Sequence, residues 1–77
     1  MSAPKITPMQ RKTLEALAAA ENGTLTFEEM RKACRATIRG HRIVRMNLED
    51  AGLIERAPYG GRPSMTITQA GREAIRS

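Results

Sequence analysis

The chain holds one cysteine, Cys34, and one histidine, His41; it has no tryptophan, one tyrosine and one phenylalanine. A lone cysteine excludes an internal disulfide, and with it a stapled secreted mini-protein. It also excludes a thiolate zinc site, and a single histidine is too few for a histidine-rich metal centre. No stretch approaches the roughly 20 apolar residues of a membrane helix. The opening residues, Met1-Ser2-Ala3-Pro4-Lys5, lack the apolar core of a signal peptide. Gly-rich phosphate loops, nucleophile elbows and metal-ligand spacings are absent. The acidic pairs Glu28-Glu29 and Glu49-Asp50 are adjacent in sequence, so on a helix their side chains diverge and suit surface charge and capping. The expectation is a reduced, soluble, cytoplasmic domain that is not an enzyme and uses no cofactor or metal.

What is present is positive charge. Thirteen Lys and Arg face eight Asp and Glu in 77 residues, a formal charge of +5. The length allows one domain, expected over residues 7–77 behind a flexible N-terminus of residues 1–6. A domain this small buries only about 60% of the surface its unfolded chain exposes, so self-association is one remedy for marginal stability. The distribution of charge says more than the total. Arg31, Lys32, Arg35, Arg39, Arg42 and Arg45 lie between Met30 and Leu48 with no Asp or Glu among them. A run of this kind asks for an anionic partner. Arginine outnumbers lysine ten to three, and its planar fork suits phosphate and guanine. A solvated helix face or a GC-rich coding bias accounts for the same residues without a function.

The elements follow from caps and periods. Thr7-Pro8-Met9-Gln10 is a helix start, with Thr7 as cap, Pro8 in the first turn and Gln10 closing a capping box. Leu14, Leu17 and Ala18 follow at helical spacing, and Asn22-Gly23 is expected to stop the helix. Thr24-Leu25-Thr26 is short and β-prone. Thr26 then caps a second helix with Glu29 as its box partner, and Phe27, Met30, Ala33 and Cys34 form its apolar side. Cys34 reads as a small buried residue. Arg35-Ala36-Thr37 is a tight turn, and a third helix runs from about Ile38 to Ala51 before Gly52. At 100° per residue, Thr37, His41, Val44, Leu48 and Ala51 share its inner side. Arg39, Arg42, Ile43 and Met46 share the outer side, with Arg45 at the edge. Gly40 costs up to ~1 kcal/mol relative to Ala inside this helix, which implies either close approach to a backbone or a later start. His41 is expected in the core with a local hydrogen bond.

Leu53 to Arg56 is a strand, Pro58-Tyr59-Gly60-Gly61-Arg62-Pro63 a turn, and Ser64 to Thr68 a returning strand. Tyr59 is expected to pack on this hairpin. Thr68 caps a last short helix from Gln69 to about Arg76, whose apolar positions are Ala70, Ala74 and Ile75. The fold class is therefore mainly α (α+β): a three-helix core, a two- to three-stranded β-wing and a short C-terminal helix.

This order resembles a winged helix-turn-helix, and the sequence is similar to the DNA-binding core of MarR- and PadR-type bacterial transcriptional regulators over about residues 7 to 76. Three segments carry the likeness. Met30, Ala33 and Cys34 stand at the inner positions of the second helix. Leu48-Glu49-Asp50-Ala51-Gly52-Leu53-Ile54-Glu55-Arg56 resembles the end of the recognition helix and the first wing strand. Ile67-Thr68-Gln69-Ala70-Gly71-Arg72-Glu73-Ala74 resembles the second wing strand and the helix after it. His41 and Arg45 depart from the apolar residues usual in the family.

The resemblance implies a small stand-alone, repressor-like regulator that binds double-stranded DNA as a homodimer, with the helix at about 38–51 in the major groove. Arg39 and Arg42 would reach guanine edges, and Arg35 and Thr37 would meet phosphates at the helix N-terminus. Arg45 completes the cationic set. Ile43 and Met46 would touch thymine methyls or, alternatively, form a patch for a protein partner in the manner of a phage- or plasmid-type inhibitor or antirepressor. Arg62, stiffened by Pro63, would be held outward at the wing to enter the minor groove. The long flanking helices that such regulators use for dimerisation and effector binding are not in this sequence, so no small-molecule effector is expected.

Overall fold

Thr7 and Thr26 begin the first two helices by the same device. In the computed structural model, which describes residues 6–57 and 62–76, each threonine hydroxyl accepts the N–H of the residue three on, at 3.1 Å. The side chains of Gln10 and Glu29 return the bond to the threonine N–H at 2.9 Å. Two orphan donors are satisfied at each start, and the helices that follow are α1 (Pro8–Ala19) and α2 (Phe27–Cys34). Helix α1 stops at Ala19, before the expected Asn22-Gly23. Ala20 is already extended, and Asn22 and Gly23 instead form a separate turn at φ of 60° and 65°.

Strand β1 (Thr24–Thr26) precedes α2. Arg35 then takes a left-handed conformation at φ 52°, and its N–H bonds back to the carbonyls of Arg31 and Lys32. That residue turns the chain into α3 (Ile38–Asp50), whose cap Thr37 accepts the Gly40 N–H at 3.0 Å. The helix starts before Gly40, against the expected later start, and within the protein a methyl group at that exposed position would meet only the Thr37 hydroxyl, at 2.9 Å. Gly52, at φ 76°, ends α3 in the left-handed form that costs other residues about 1–2 kcal/mol.

Strands β2 (Ile54–Arg56) and β3 (Ser64–Ile67) pair antiparallel, with Glu55 opposite Thr66. Strand β1 pairs with the other edge of β3, Leu25 opposite Met65, which gives the order β1-β3-β2. Helix α4 (Gln69–Arg76) follows, and Thr68 caps it by accepting the Gly71 N–H at 3.1 Å.

One core joins every element. Leu14 and Leu17 come from α1, Met30 from α2, Leu48 from α3, and Leu53, Ile54, Met65 and Ile67 from the wing and its approach, with Ala74 from α4. Ile6, assigned above to the flexible terminus, packs against this core. Residues 1–5, and the expected turn at 58–61 with Tyr59, lie outside the described residues. Ala33 and Ala70, expected on buried faces, are exposed, and so are Thr37 and Ala51 at the ends of the inner stripe of α3. Each is small or sits beside a helix end, where burial by the stripe runs out. Gly71 is the buried position that periodicity overlooked. A methyl group there would overlap the carbonyl oxygen of Leu53, so α4 can cross the chain only with glycine at the crossing.

Candidate nucleic-acid interface

Helix α3 divides as its period predicts. His41 and Leu48 are buried, whereas Arg39, Arg42, Ile43 and Met46 are exposed. Arg35 and Thr37, in the turn that leads into the helix, are also exposed. The outer side thus presents guanidiniums and two apolar side chains, and its acids, Glu49 and Asp50, stand only at the far end. Glu49 is paired with Arg56 of β2 at 3.2 Å. The acids at the start of α2 are also occupied. Glu28 pairs with Lys32 at 3.3 Å, and Glu29 serves its cap. The Thr26 bonds hold the Glu29 carboxyl below its ordinary range, and Arg62 adds a smaller pull in the same direction.

Arg45 is the exception to the outer set. It is half-buried, and its guanidinium lies over the ring of Phe27, 3.8 Å from the centroid. Burial lowers its proton affinity, and the neighbouring charges of Arg56 and Arg42 lower it further. Its Nε is buried without a hydrogen-bond partner in the protein. Phe27 is the hub of this region. One surface recess joins it to Arg31, Ile38, His41 and Arg45. A second joins it to Arg42, Arg45, Met46 and Arg56, with Glu49 and Asp50 on the same rim. A third joins it to Thr26, Glu28, Arg62 and Pro63. The Phe27 N–H donates to the Pro63 carbonyl at 3.1 Å, which ties the returning limb of the wing to the start of α2. Arg62 is exposed on that limb, two residues before β3.

Beneath this surface lies a polar contact between three helices. The Thr13 hydroxyl of α1 donates to the Met9 carbonyl at 3.0 Å. It also meets the Cys34 Sγ of α2 at 3.2 Å and the His41 Nε2 of α3 at 3.3 Å. The hydrogen bond of His41 is therefore long-range, not local as expected. Burial pushes the proton affinity of His41 down, and the charges of Arg45 and Arg31 push the same way. Among the described residues no group of three His, Cys, Asp or Glu is arranged to hold a metal, and no helix is long and apolar enough to cross a membrane.

Of the residues named from sequence, Arg42 and Met46 line one recess together with Arg45. Arg62 borders a different recess on the Phe27 side. Phe27 and Arg56 were missed as parts of this surface. Phe27 read as core, and Arg56 as an ordinary strand end.

No family model and no curated protein matches the sequence. Solved structures do match. The chain superposes on Sco5413, a MarR family transcriptional regulator from Streptomyces coelicolor, with a TM-score of 0.85 at 22% identity, covering 92% of this chain and 50% of that one. It superposes on MepR of Staphylococcus aureus bound to DNA with a TM-score of 0.83 at 28% identity, covering 92% and 60%. MepR is a transcription regulator of the multidrug efflux pump MepA. It also matches NadR in complex with 4-hydroxyphenylacetate, with a TM-score of 0.81 at 27% identity, covering 92% and 51%. The chain has a winged helix-turn-helix fold like that of MarR family regulators, and it spans about half the length of these structures. A small molecule bound to NadR stands in tension with the expectation that no effector is involved.

Proposed function

We propose that the protein is a sequence-specific, double-stranded DNA-binding transcriptional regulator. Helix α3 enters the major groove, and Arg62 on the wing reaches the minor groove. The observation that carries this reading is the outer side of α3. Arg39 and Arg42 are exposed there with no acid between residues 31 and 47, on a frame that matches a DNA-bound regulator over 92% of its length. A helix fits the major groove, and the preceding helix of the motif crosses the backbone to position it.

Each residue has a distinct task. Arg39 and Arg42 reach base edges, where each bidentate grip on a guanine discriminates by about 1–3 kcal/mol. Arg35 and Thr37 take phosphates at the start of α3, where the helix dipole also favours an anion. Thr37 accepts the Gly40 N–H, which leaves its hydroxyl proton free to donate. Arg45 and Arg56 add phosphate contacts between helix and wing. Two copies on a roughly palindromic site match the two-fold logic of such motifs.

A second reading rests on Ile38, Ile43 and Met46, which are 73%, 58% and 50% exposed. An apolar patch on α3 would suit a protein partner instead.

Selection of bound duplexes from a random library at two salt concentrations separates the two. The DNA reading predicts an enriched motif whose retention falls steeply at higher salt. Retention of no duplex at either salt concentration would refute it.

A further inference from the structure

The guanidiniums of α3 account for only half of its outer side. Around the helix axis, Arg42, Met46, Arg39 and Ile43 fall in that order within an arc of about 100°, and Asp50 enters the arc only at the last residue of the helix. Ile43 stands one turn beyond Arg39, and Met46 one turn beyond Arg42, so each apolar side chain is neighbour to a cation. The cores of protein interfaces are depleted of charge, and this arc is not. Met46 also shares a recess with Arg42, Arg45 and Arg56, and with the acids Glu49 and Asp50, of which Glu49 is paired with Arg56. The arginines outnumber the acids, and this excess of positive charge complements a polyanion. In the major groove of DNA the apolar feature within reach is the C5-methyl group of thymine. From Arg39 to Met46 the helix rises about 10 Å, which spans roughly three base-pair steps of about 3.4 Å.

We propose that Ile43 and Met46 are specificity-determining residues that contact thymine methyl groups within the three or four base pairs whose guanines Arg39 and Arg42 grip. The half-site is then a mixed block of G·C and A·T pairs, read by alternating cationic and apolar side chains. This inference rests on the DNA-binding reading and adds to it the base composition of the site.

The test replaces thymine by deoxyuridine, one position at a time, in a duplex obtained by selection, and follows binding by fluorescence anisotropy. Deoxyuridine pairs as thymine does and lacks only the methyl group. At one or two positions the affinity of the parent protein should fall about threefold to tenfold, the scale of one methyl group returned to water. Ile43→Ala and Met46→Ala should bind the thymine duplex correspondingly less well, and each should lose the response to deoxyuridine at one position. Both side chains are exposed, so thermal melts should match the parent, and Met46→Leu should keep the response. Equal affinity of the parent for both duplexes would overturn the inference while leaving DNA binding intact. So would alanine variants that keep the full response, or that bind the thymine duplex normally while a homodimer dissociates. Selection that yields no duplex would overturn the DNA-binding reading itself, and this inference with it.

Discussion

Arg45 on α3 lies over Phe27 at the start of α2, with 3.8 Å between its guanidinium carbon and the ring centroid. The two helices of the helix-turn-helix therefore share a cation–π contact beside the surface proposed to meet DNA. Such a contact is worth about 0.5–1 kcal/mol at an exposed site and more when desolvated. It holds Arg45 in place although burial, and after it the charges of Arg56 and Arg42, lower its proton affinity. If Arg45 meets DNA as proposed, Phe27 positions it. Phe27→Leu keeps the apolar volume and removes the ring, and DNA affinity should fall several-fold with little loss of stability. If Phe27 acts through Arg45, the double variant with Arg45→Ala should bind no worse than Arg45→Ala alone. Additive losses in anisotropy titrations would show that the two residues act separately.

Arg42 and Arg35 should fail in different ways. Arg42→Ala should relax preference at one base pair, at a cost of about 1–3 kcal/mol on the preferred site. Arg35→Ala should weaken all duplexes alike and lower the slope of log K against log salt by about one. Binding assays on the selected duplex and on its single-base variants distinguish the two patterns.

His41 predicts a pH dependence of stability. It is 1% exposed and bonded to Thr13 through Nε2, and its Nδ1 has no partner within the protein. Burial opposes its protonation most, followed by the charges of Arg45 from α3 and Arg31 from α2; Glu28 lines the same recess, and Cys34 and Thr13 complete its surroundings. The folded form therefore binds a proton less readily than the unfolded chain, whose imidazole titrates near 6.5. Stability is full above that value and declines as pH falls below it, because the unfolded state gains the proton first. Between about pH 7 and about pH 5.5 the melting temperature should drop for the parent and hold nearly constant for His41→Leu. A parallel drop in both proteins would assign the effect to other groups.

Gly71→Ala should cost stability out of proportion to one methyl group. The added carbon overlaps the Leu53 carbonyl, and α4 must move to make room. Forced overpacking typically costs about 1–3 kcal/mol. Gly52→Ala has open space for its methyl group but a φ of 76°, so its loss should stay near the 1–2 kcal/mol of left-handed strain. Urea melts that rank Gly71→Ala as the milder change would contradict the packing account.

Local signals carried most of the architecture. Thr7 with Gln10, and Thr26 with Glu29, are legible because a capping box acts over three residues and needs nothing else in the fold. Gly52 and the two sides of α3 are legible for the same reason, since period and cap chemistry are local. What escaped depends on distance in space. Phe27 carries the pattern of a core residue, and only the arrival of Arg45 and Pro63 makes it the hub of a basic surface. Arg56 joins that surface because β2 runs beside the end of α3, where Glu49 binds it. The Thr13, Cys34 and His41 cluster draws one residue from each of three helices, and no spacing along the chain announces it. Ala33 and Ala70 misled for the opposite reason: alanine fits either side of a helix, so its position in a stripe says little about burial.

The central claim is that the cationic outer side of α3 holds double-stranded DNA. It is tested most directly by measuring the salt dependence of binding to a selected duplex for the parent and for the Arg39→Ala, Arg42→Ala double variant. The parent should bind with a slope of log K against log salt near −0.9 for each phosphate neutralised. The double variant should lose at least tenfold in affinity for that duplex and bind it no better than unrelated sequence. Binding that ignores salt, or a double variant that keeps the parent's affinity and sequence preference, would contradict the account.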